Sequence, residues 1–178
     1  MSAPVPVLDT LETARLVLRR RRVEEAAVYH QLWIERDPRV PPHRRISPEG
    51  RPTVEDIAAQ VSAERAGSAP RLLAVERKDT SDVIGYCGLV LHGNAPLEEP
   101  ELAYELLRVA HGRGFATEAG EAVVRWVHDA GYARLWAGVR DWNDASRRVL
   151  ERLGFCDTGR VEPDAVHGDS LLFVRVRG

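Results

Sequence analysis

The chain has little that would tie it to a metal, a membrane or a polyanion. Of its 178 residues only two are cysteines, Cys87 and Cys156. They lie far apart in no CxxC arrangement, so they read as free thiols of a reducing cytosol. Six histidines are scattered without ligand spacing, which leaves no basis for a metal site. No apolar run approaches the length of a membrane span and no signal-peptide pattern opens the chain, so a cytoplasmic protein is expected. Neither sign of charge dominates. The formal net charge is −2 and the pI about 6.3, with both signs interspersed, and nucleic acid has no electrostatic claim on such a surface. Internal repeats and low-complexity segments are absent as well. A chain of this length reads as one domain able to bury a sizeable core.

What is present is concentrated in one stretch, His111-Gly112-Arg113-Gly114-Phe115-Ala116-Thr117-Glu118-Ala119. A strand-like segment, Glu101 to Leu107, precedes it. After it, Phe115, Ala119, Ala122, Val123, Trp126, Val127 and Ala130 fall at helical spacing, with Glu118, Glu121, Arg125, His128 and Asp129 on the other faces. Gly131 then suits a left-handed helix stop. Two glycines thus lie where a strand hands over to a helix. There the backbone can come close to a ligand, and free N–H groups and the helix dipole attract an anion. The turn reads as a phosphate cradle. It is not a P-loop, which needs Lys-Ser or Lys-Thr after its last glycine where this chain has Phe115-Ala116. As a dinucleotide fingerprint it is partial: Thr117 stands where a third small residue belongs, although Asp141, after the next strand, suits a ribose-binding acid.

The rest of the chain supplies elements around that cradle. Residues 1–12, with Pro4 and Pro6, read as a loose extension, and residues 13–178 as the domain. Leu16-Val17-Leu18 is a short strand, and Arg19-Arg20-Arg21-Arg22 its solvated end. Glu24 to Glu35 has helical spacing through Ala27, Leu32, Trp33 and Ile34. Arg36 to Thr53 holds five prolines and five arginines; it cannot be regular for long and is the candidate for a mobile lid. Thr53, with Asp56 three residues on, caps a helix reaching Arg65. Arg71 to Arg77 and Val83 to Leu91 form a hairpin through Lys78 to Asp82, and Gly93 to Pro100 is a loop. Arg134 to Val139 is a strand, and Asp144 to Leu153 a helix stopped at Gly154. Cys156 to Val161 and Asp169 to Val176 are a last strand pair around a Pro163–Gly168 loop.

Glu101-Leu102-Ala103-Tyr104-Glu105-Leu106-Leu107, followed by the glycine stretch, resembles the acetyl-CoA-binding core of the GNAT-type N-acetyltransferases. Asn143-Asp144-Ala145-Ser146 and Leu153-Gly154-Phe155 resemble the next block of the RimJ/RimL-like branch, and Thr13-Ala14-Arg15-Leu16-Val17-Leu18-Arg19 its opening strand. The matches come in the family's order over nearly the whole chain. Val109 stands where many members carry Gln or Arg. The resemblance implies an α/β (α+β mixed) GNAT-type fold: a twisted, mostly antiparallel mixed sheet of about six or seven strands with helices on both faces. It implies direct transfer of an acetyl group from acetyl-CoA to a primary amine, with no metal. It also assigns Leu107, Val109, His111, Gly112, Arg113, Gly114, Phe115, Ala116 and Thr117 to the cofactor. Backbone amides from about His111 to Thr117 would meet the pyrophosphate, unpaired N–H groups near Leu107 the acyl carbonyl, and Asn143 the pantetheine arm.

Acetyl transfer needs a base for the amine. Glu101 and Glu105 are strand residues of equal parity and share a face if no bulge intervenes; Glu101 fits the family's strand glutamate better. Ser146, three residues after Asn143 on the same side of a helix start, is the candidate acid for the leaving thiolate. Asn143 is also a natural N-cap. Two other functions stay open on the same residues, a non-catalytic acyl-CoA-binding or regulatory domain and a nucleotide-binding enzyme. The acceptor is an amine-bearing small molecule or a protein N terminus, and a homodimer is allowed. The arginines of the proline-rich loop favour an amine beside a carboxylate or phosphate over a polyamine.

Overall fold

A computed structural model describes residues 7–67, 71–91 and 96–177. Among these residues eight strands form one sheet. They are β1 (Thr10–Glu12), β2 (Leu16–Arg20), β3 (Leu72–Arg77), β4 (Val83–Val90), β5 (Glu101–Leu106), β6 (Arg134–Arg140), β7 (Cys156–Glu162) and β8 (Ser170–Val176). Their spatial order is β1-β2-β3-β4-β5-β6-β8-β7, antiparallel throughout except between β5 and β6. The helices are α1 (Ala26–Glu35), α2 (Val54–Ala66), α3 (Phe115–Asp129) and α4 (Asp144–Arg152). None of the described helices is long and apolar enough to cross a membrane.

The two faces of the sheet bury different sets of side chains. On one, Ala26, Tyr29 and Leu32 of α1 and Ile57 and Val61 of α2 close over Val83 and Tyr86. On the other, Phe115, Ala119, Val123 and Val127 of α3 and Leu150 of α4 pack on Leu18, Val75, Cys87, Leu102 and Leu106. The α3 residues are those whose spacing predicts a helix. Gly120 lets α3 lie close to Leu153, whose Cδ atoms would sit 2.6 and 3.3 Å from any Cβ there. The capping box at α2 is present: Asp56 N–H donates to Thr53 Oγ1 at 3.2 Å and Thr53 N–H to Asp56 Oδ2 at 2.8 Å.

β4 carries a bulge. Val75 pairs with Gly85 and Glu76 with Val83, so Ile84 is the extra residue. The bulge reverses the alternation, which is why Val83 and Tyr86 face α1 and α2 while Ile84 and Cys87 face α3. Gly85 takes φ +147°, and a Cβ there would overlap the Glu105 carbonyl oxygen.

Several expectations need correction. The sheet has eight strands rather than six or seven, because Thr10–Glu12, placed in the loose extension, pairs antiparallel with β2 as β1. Leu8 just before it is 3% exposed. Of the extension, residues 1–6 lie outside the described residues, as do 92–95 of the loop before β5 and 68–70 after α2. Two arginines of the run are not solvated, although Arg22 is exposed. Arg19 pairs with Glu25 at 2.5 Å and Glu76 at 2.6 Å, and buried Arg21 pairs with Glu64 and stacks over Tyr29. α1 buries Tyr29 instead of Ile34, which is 56% exposed, because a 3-10 turn at Val23–Glu25 sets its phase.

Gly85→Ala is expected to cost about 3 kcal/mol or more, the overpacking penalty where backbone must move, and so to lower Tm by roughly 6–12 °C. Gly159→Ala, at an open left-handed position with no atom near its Cβ, should cost about 1 kcal/mol. Thermal unfolding of the two variants checks the contrast.

Candidate active site

The turn before α3 has the form the sequence predicts. Gly112 takes φ +72° and Gly114 φ +78°, left-handed values that glycine adopts without strain. Gly114 is the N-cap and no side chain caps the helix. The first helical bond runs from Glu118 N–H to Gly114 O at 3.0 Å, so the N–H groups of Phe115, Ala116 and Thr117 lie ahead of it. Gly112, Arg113 and Gly114 are exposed. His111 is committed elsewhere: its Nε2 meets Leu106 O at 2.7 Å and its N–H donates to Arg108 O at 3.0 Å. The amides left to face an anion therefore begin at Gly112 rather than His111.

The turn between β1 and β2 staples this segment. Arg15 Nη1 donates to the Arg113 carbonyl at 3.0 Å. Glu118 accepts from the Thr13 hydroxyl at 2.6 Å, Arg15 N–H at 2.9 Å and Arg15 Nε at 2.6 Å. Partial burial opposes ionisation of Glu118, but these donors outweigh it and hold the carboxyl below its usual range. The Arg15 guanidinium also lies 4.5 Å over the buried Phe115 ring.

The strands on either side of the turn part company. β5 and β6 are paired at one position, Glu101 with Trp136, with Trp136 N–H donating to Pro100 O at 3.0 Å. One step further along β6 the Gly138 N–H is met by the Glu101 carboxylate at 3.0 Å instead of by a carbonyl. The strands then diverge into a cleft. Leu107 does not offer its N–H there, because it donates to Ile84 O at the bulge, 2.8 Å away. In a β-ladder alternate residues point their amides to opposite neighbours. Since Leu107 points to β4, the amides aimed at the cleft are those of Tyr104 and Leu106. Val109, in a 3-10 turn, is 73% exposed.

Side chains of β5 divide between the two sides of the cleft. Tyr104 packs on the α3 face, where its hydroxyl lies 2.7 Å from Ser146 Oγ and donates to Ser146 O at 3.1 Å. Burial pushes this phenol up to about 12, against the Ser146 hydrogen bond, so it keeps its proton at any working pH. Asn143 caps α4, accepting from Ser146 N–H at 3.1 Å. Glu101 and Glu105, of opposite parity to Tyr104, face α1. Glu105 is fully engaged: Arg36 grips both oxygens at 2.8 and 2.7 Å, and the Tyr86 hydroxyl donates to Oε2 at 2.7 Å. Burial alone would lower the Arg36 pKa; the Glu105 carboxylate overcomes this and raises it above the usual arginine value.

The proline-rich loop is pinned across the cleft. Arg36, whose side chain is 9% exposed, also stacks 4.0 Å over Trp33. Arg39 is held by Asp37 at 2.9 and 2.8 Å and lies 4.3 Å over the Trp142 ring, a cation–π contact. Arg51 pairs with Asp56 at 2.7 Å. Three of the loop's five arginines are thus matched by carboxylates.

Comparison with known proteins gives this cleft its meaning. The sequence profile of the acetyltransferase (GNAT) domain matches residues 15–156. The chain belongs to the GNAT family of N-acetyltransferases. The uncharacterized N-acetyltransferase p20 of Bacillus licheniformis is 32% identical over 166 residues, 85% of each chain. A GNAT-family acetyltransferase from Bacillus anthracis superposes with a TM-score of 0.76 at 19% identity, over 94% of this chain and 98% of that one. RimL, a ribosomal L7/L12 alpha-N-protein acetyltransferase in complex with coenzyme A, superposes with a TM-score of 0.71 at 17% identity, over 97% of each chain. The acetyl donor of a GNAT enzyme is acetyl-CoA, and the uncapped α3 start and the open cleft suit its phosphates and its extended arm. The sequence pattern does not mark Tyr104, Arg15, Arg36 and Trp142 as site residues; apart from the aromatic Tyr104 inside the strand motif, each is recognisable only by its long-range contact.

Glu105→Gln removes the charge that matches buried Arg36 and is expected to cost about 3 kcal/mol of stability. Glu101→Gln keeps an acceptor for Gly138 N–H and should leave stability nearly unchanged. Denaturant unfolding of both variants measures the difference.

Proposed function

We propose that this GNAT protein transfers the acetyl group of acetyl-CoA directly to a primary amine, with Glu101 as general base and the Tyr104–Ser146 pair supplying the leaving thiolate with a proton. The observation that carries this reading is the division of the cleft. Glu101 and Glu105 lie on its α1 side, where the Tyr86 hydroxyl is already donated to Glu105, and the Tyr104–Ser146 hydroxyl pair lies on its α3 side. An amine entering from one side can then lose its proton there, while the sulfur, on the other side, gains one. A positioned base is worth roughly a hundred- to ten-thousand-fold. A thiol titrates near ~8.5, so its departure needs modest help and Ser146→Ala should cost less.

The chain's own groups supply the remaining roles. The amides of Gly112 to Thr117, with Arg113, hold the pyrophosphate, and Asn143 orients the arm beside α4. The amides of Tyr104 and Leu106 serve the acyl oxygen, a donor set worth ~3 kcal/mol of barrier. Glu105 holds Arg36 in place. Because Arg36, Arg39 and Arg51 are paired with carboxylates, the loop's charge says less about the acceptor than its composition suggests. The RimL-like fold supports a peptide N terminus as the acceptor.

Acetyl-CoA at a hundred times its Kd should stabilise the protein by about 2.7 kcal/mol. Gly114→Val should abolish most of that melting shift, since valine resists the left-handed turn. Glu101→Gln should lower kcat without altering the shift, and its deficit should shrink as pH rises, because more of the amine arrives unprotonated. Full activity of Glu101→Gln over the whole pH range would remove Glu101 from the base role.

A further inference from the structure

The segment after α1 runs across the open end of the cleft. Just past β5, Arg108 donates its N–H to the Glu35 carboxylate at 2.7 Å and its guanidinium to the Glu35 carbonyl at 2.5 Å. Asp37 follows, close enough for Arg108 to act on its charge. Arg39 then lies on Trp142, just past β6. Residues 35–39 therefore step from the end of one splayed strand to the end of the other. The Val40 N–H donates to the Asp37 carbonyl at 3.1 Å, so the backbone turns at Pro38-Arg39 and the Arg39 side chain completes the crossing to Trp142. A bridge tied to both strand ends leaves less room for a branched or ringed group than for a single extended chain.

The two halves of the bridge differ in freedom. Trp142 is fixed, its indole N–H donating to His167 O at 2.8 Å and its ring edge lying where a Cβ on Gly168 would sit. Arg39 is the movable half, with its side chain 57% exposed. Its partner Asp37 keeps its charge: hydrogen bonds from the Arg39 side chain and N–H hold that carboxyl down at about 2.

We propose that Arg39, laid on Trp142, is the specificity-determining clasp of the acceptor entrance. It closes the α1 side of the cleft to all but an amine at the end of a slender, extended chain, such as a peptide N terminus. Branched and multi-ring amines pass only when Arg39 leaves the ring. The proposal rests on the acetyl-transfer reading above and deepens it, because it assigns the acceptor's shape to two residues that make no part of the proton path.

The test compares kcat/KM for a short linear peptide with a free N terminus and for a multi-ring aminoglycoside, in the wild type, Arg39→Ala, Trp142→Ala and the double variant. The wild type should prefer the peptide. Each single variant should narrow the peptide-to-aminoglycoside ratio by roughly fivefold, the size of one exposed cation–π contact. The double variant should narrow it no further, because the two residues act as one contact. Acetyl-CoA should raise the Tm of all four proteins equally. Unchanged ratios in active variants, or additive effects of the two substitutions, would overturn the clasp and leave the acetyl-transfer reading standing. A wild type that shows the acetyl-CoA melting shift but acetylates neither amine would overturn both.

Discussion

Two parallel strands that pair at one position and then separate set the terms for this protein. A backbone amide withdrawn from a ladder and left dry costs as much as a lost hydrogen bond, so a splay persists only where something else meets those groups. At its closed end Glu101 does so, its carboxylate taking Gly138 N–H in place of a carbonyl. Toward the open end the Tyr104 and Leu106 amides face the cleft, where the proposed thioester arm would meet them. The bulge at Ile84 belongs to the same arrangement, because it turns Leu107 back to β4 and so leaves the even-numbered amides to the cleft. Gly85 allows the bulge to sit flush on Glu105.

Charge keeps the walls of the cleft in place. On the α1 side Arg36 and Glu105 form a near-buried bidentate pair with Tyr86 beside it, and Arg21 and Arg19 extend the network to Glu64, Glu25 and Glu76. Arginine suits this role because its planar fork matches a carboxylate and stacks on rings. Arg21 on Tyr29, Arg36 on Trp33 and Arg39 on Trp142 each use both properties. On the α3 side the wall is apolar, and the Tyr104–Ser146 pair is its polar point. One strand thus presents carboxylates to α1 and a phenol hydrogen-bonded to Ser146 to α3.

Much of the fold was legible in local pattern. The spacing of Phe115, Ala119, Val123 and Val127 declares α3, Thr53 and Asp56 declare the start of α2, and the paired glycines declare the cradle. Each is a signal contained within a few residues. What local pattern did not show depends on partners distant in the chain. Three residues of strand at Thr10–Glu12 need β2 to be a strand at all. Arg19 and Arg21 look like any basic run until Glu76 and Glu64 are brought to them. Parity put Glu101 and Glu105 on one face correctly, but only contact shows that one lies against Gly138 and the other is gripped by Arg36. The direction of the Leu107 amide was set by a bulge in a different strand.

The order of strands in the sheet bears on how the protein comes to exist. From β1 to β6 spatial order is sequence order, and the β1–β2 and β3–β4–β5 pairings are local in the chain, the kind of contact that forms fast. Three joints are not local. β3 reaches β2 only after α1 and α2, β6 reaches β5 only by way of the crossover helix α3, and β8 slots between β6 and β7. The cleft is that second joint. It cannot exist until β6 has been made, and Glu118, which ties the turn between β1 and β2 to the start of α3, lies 103 positions beyond Arg15. β1 and β2 therefore wait, half-anchored, for the glycine turn and α3, and the turn between these strands and the helix start that it staples are completed in the same step.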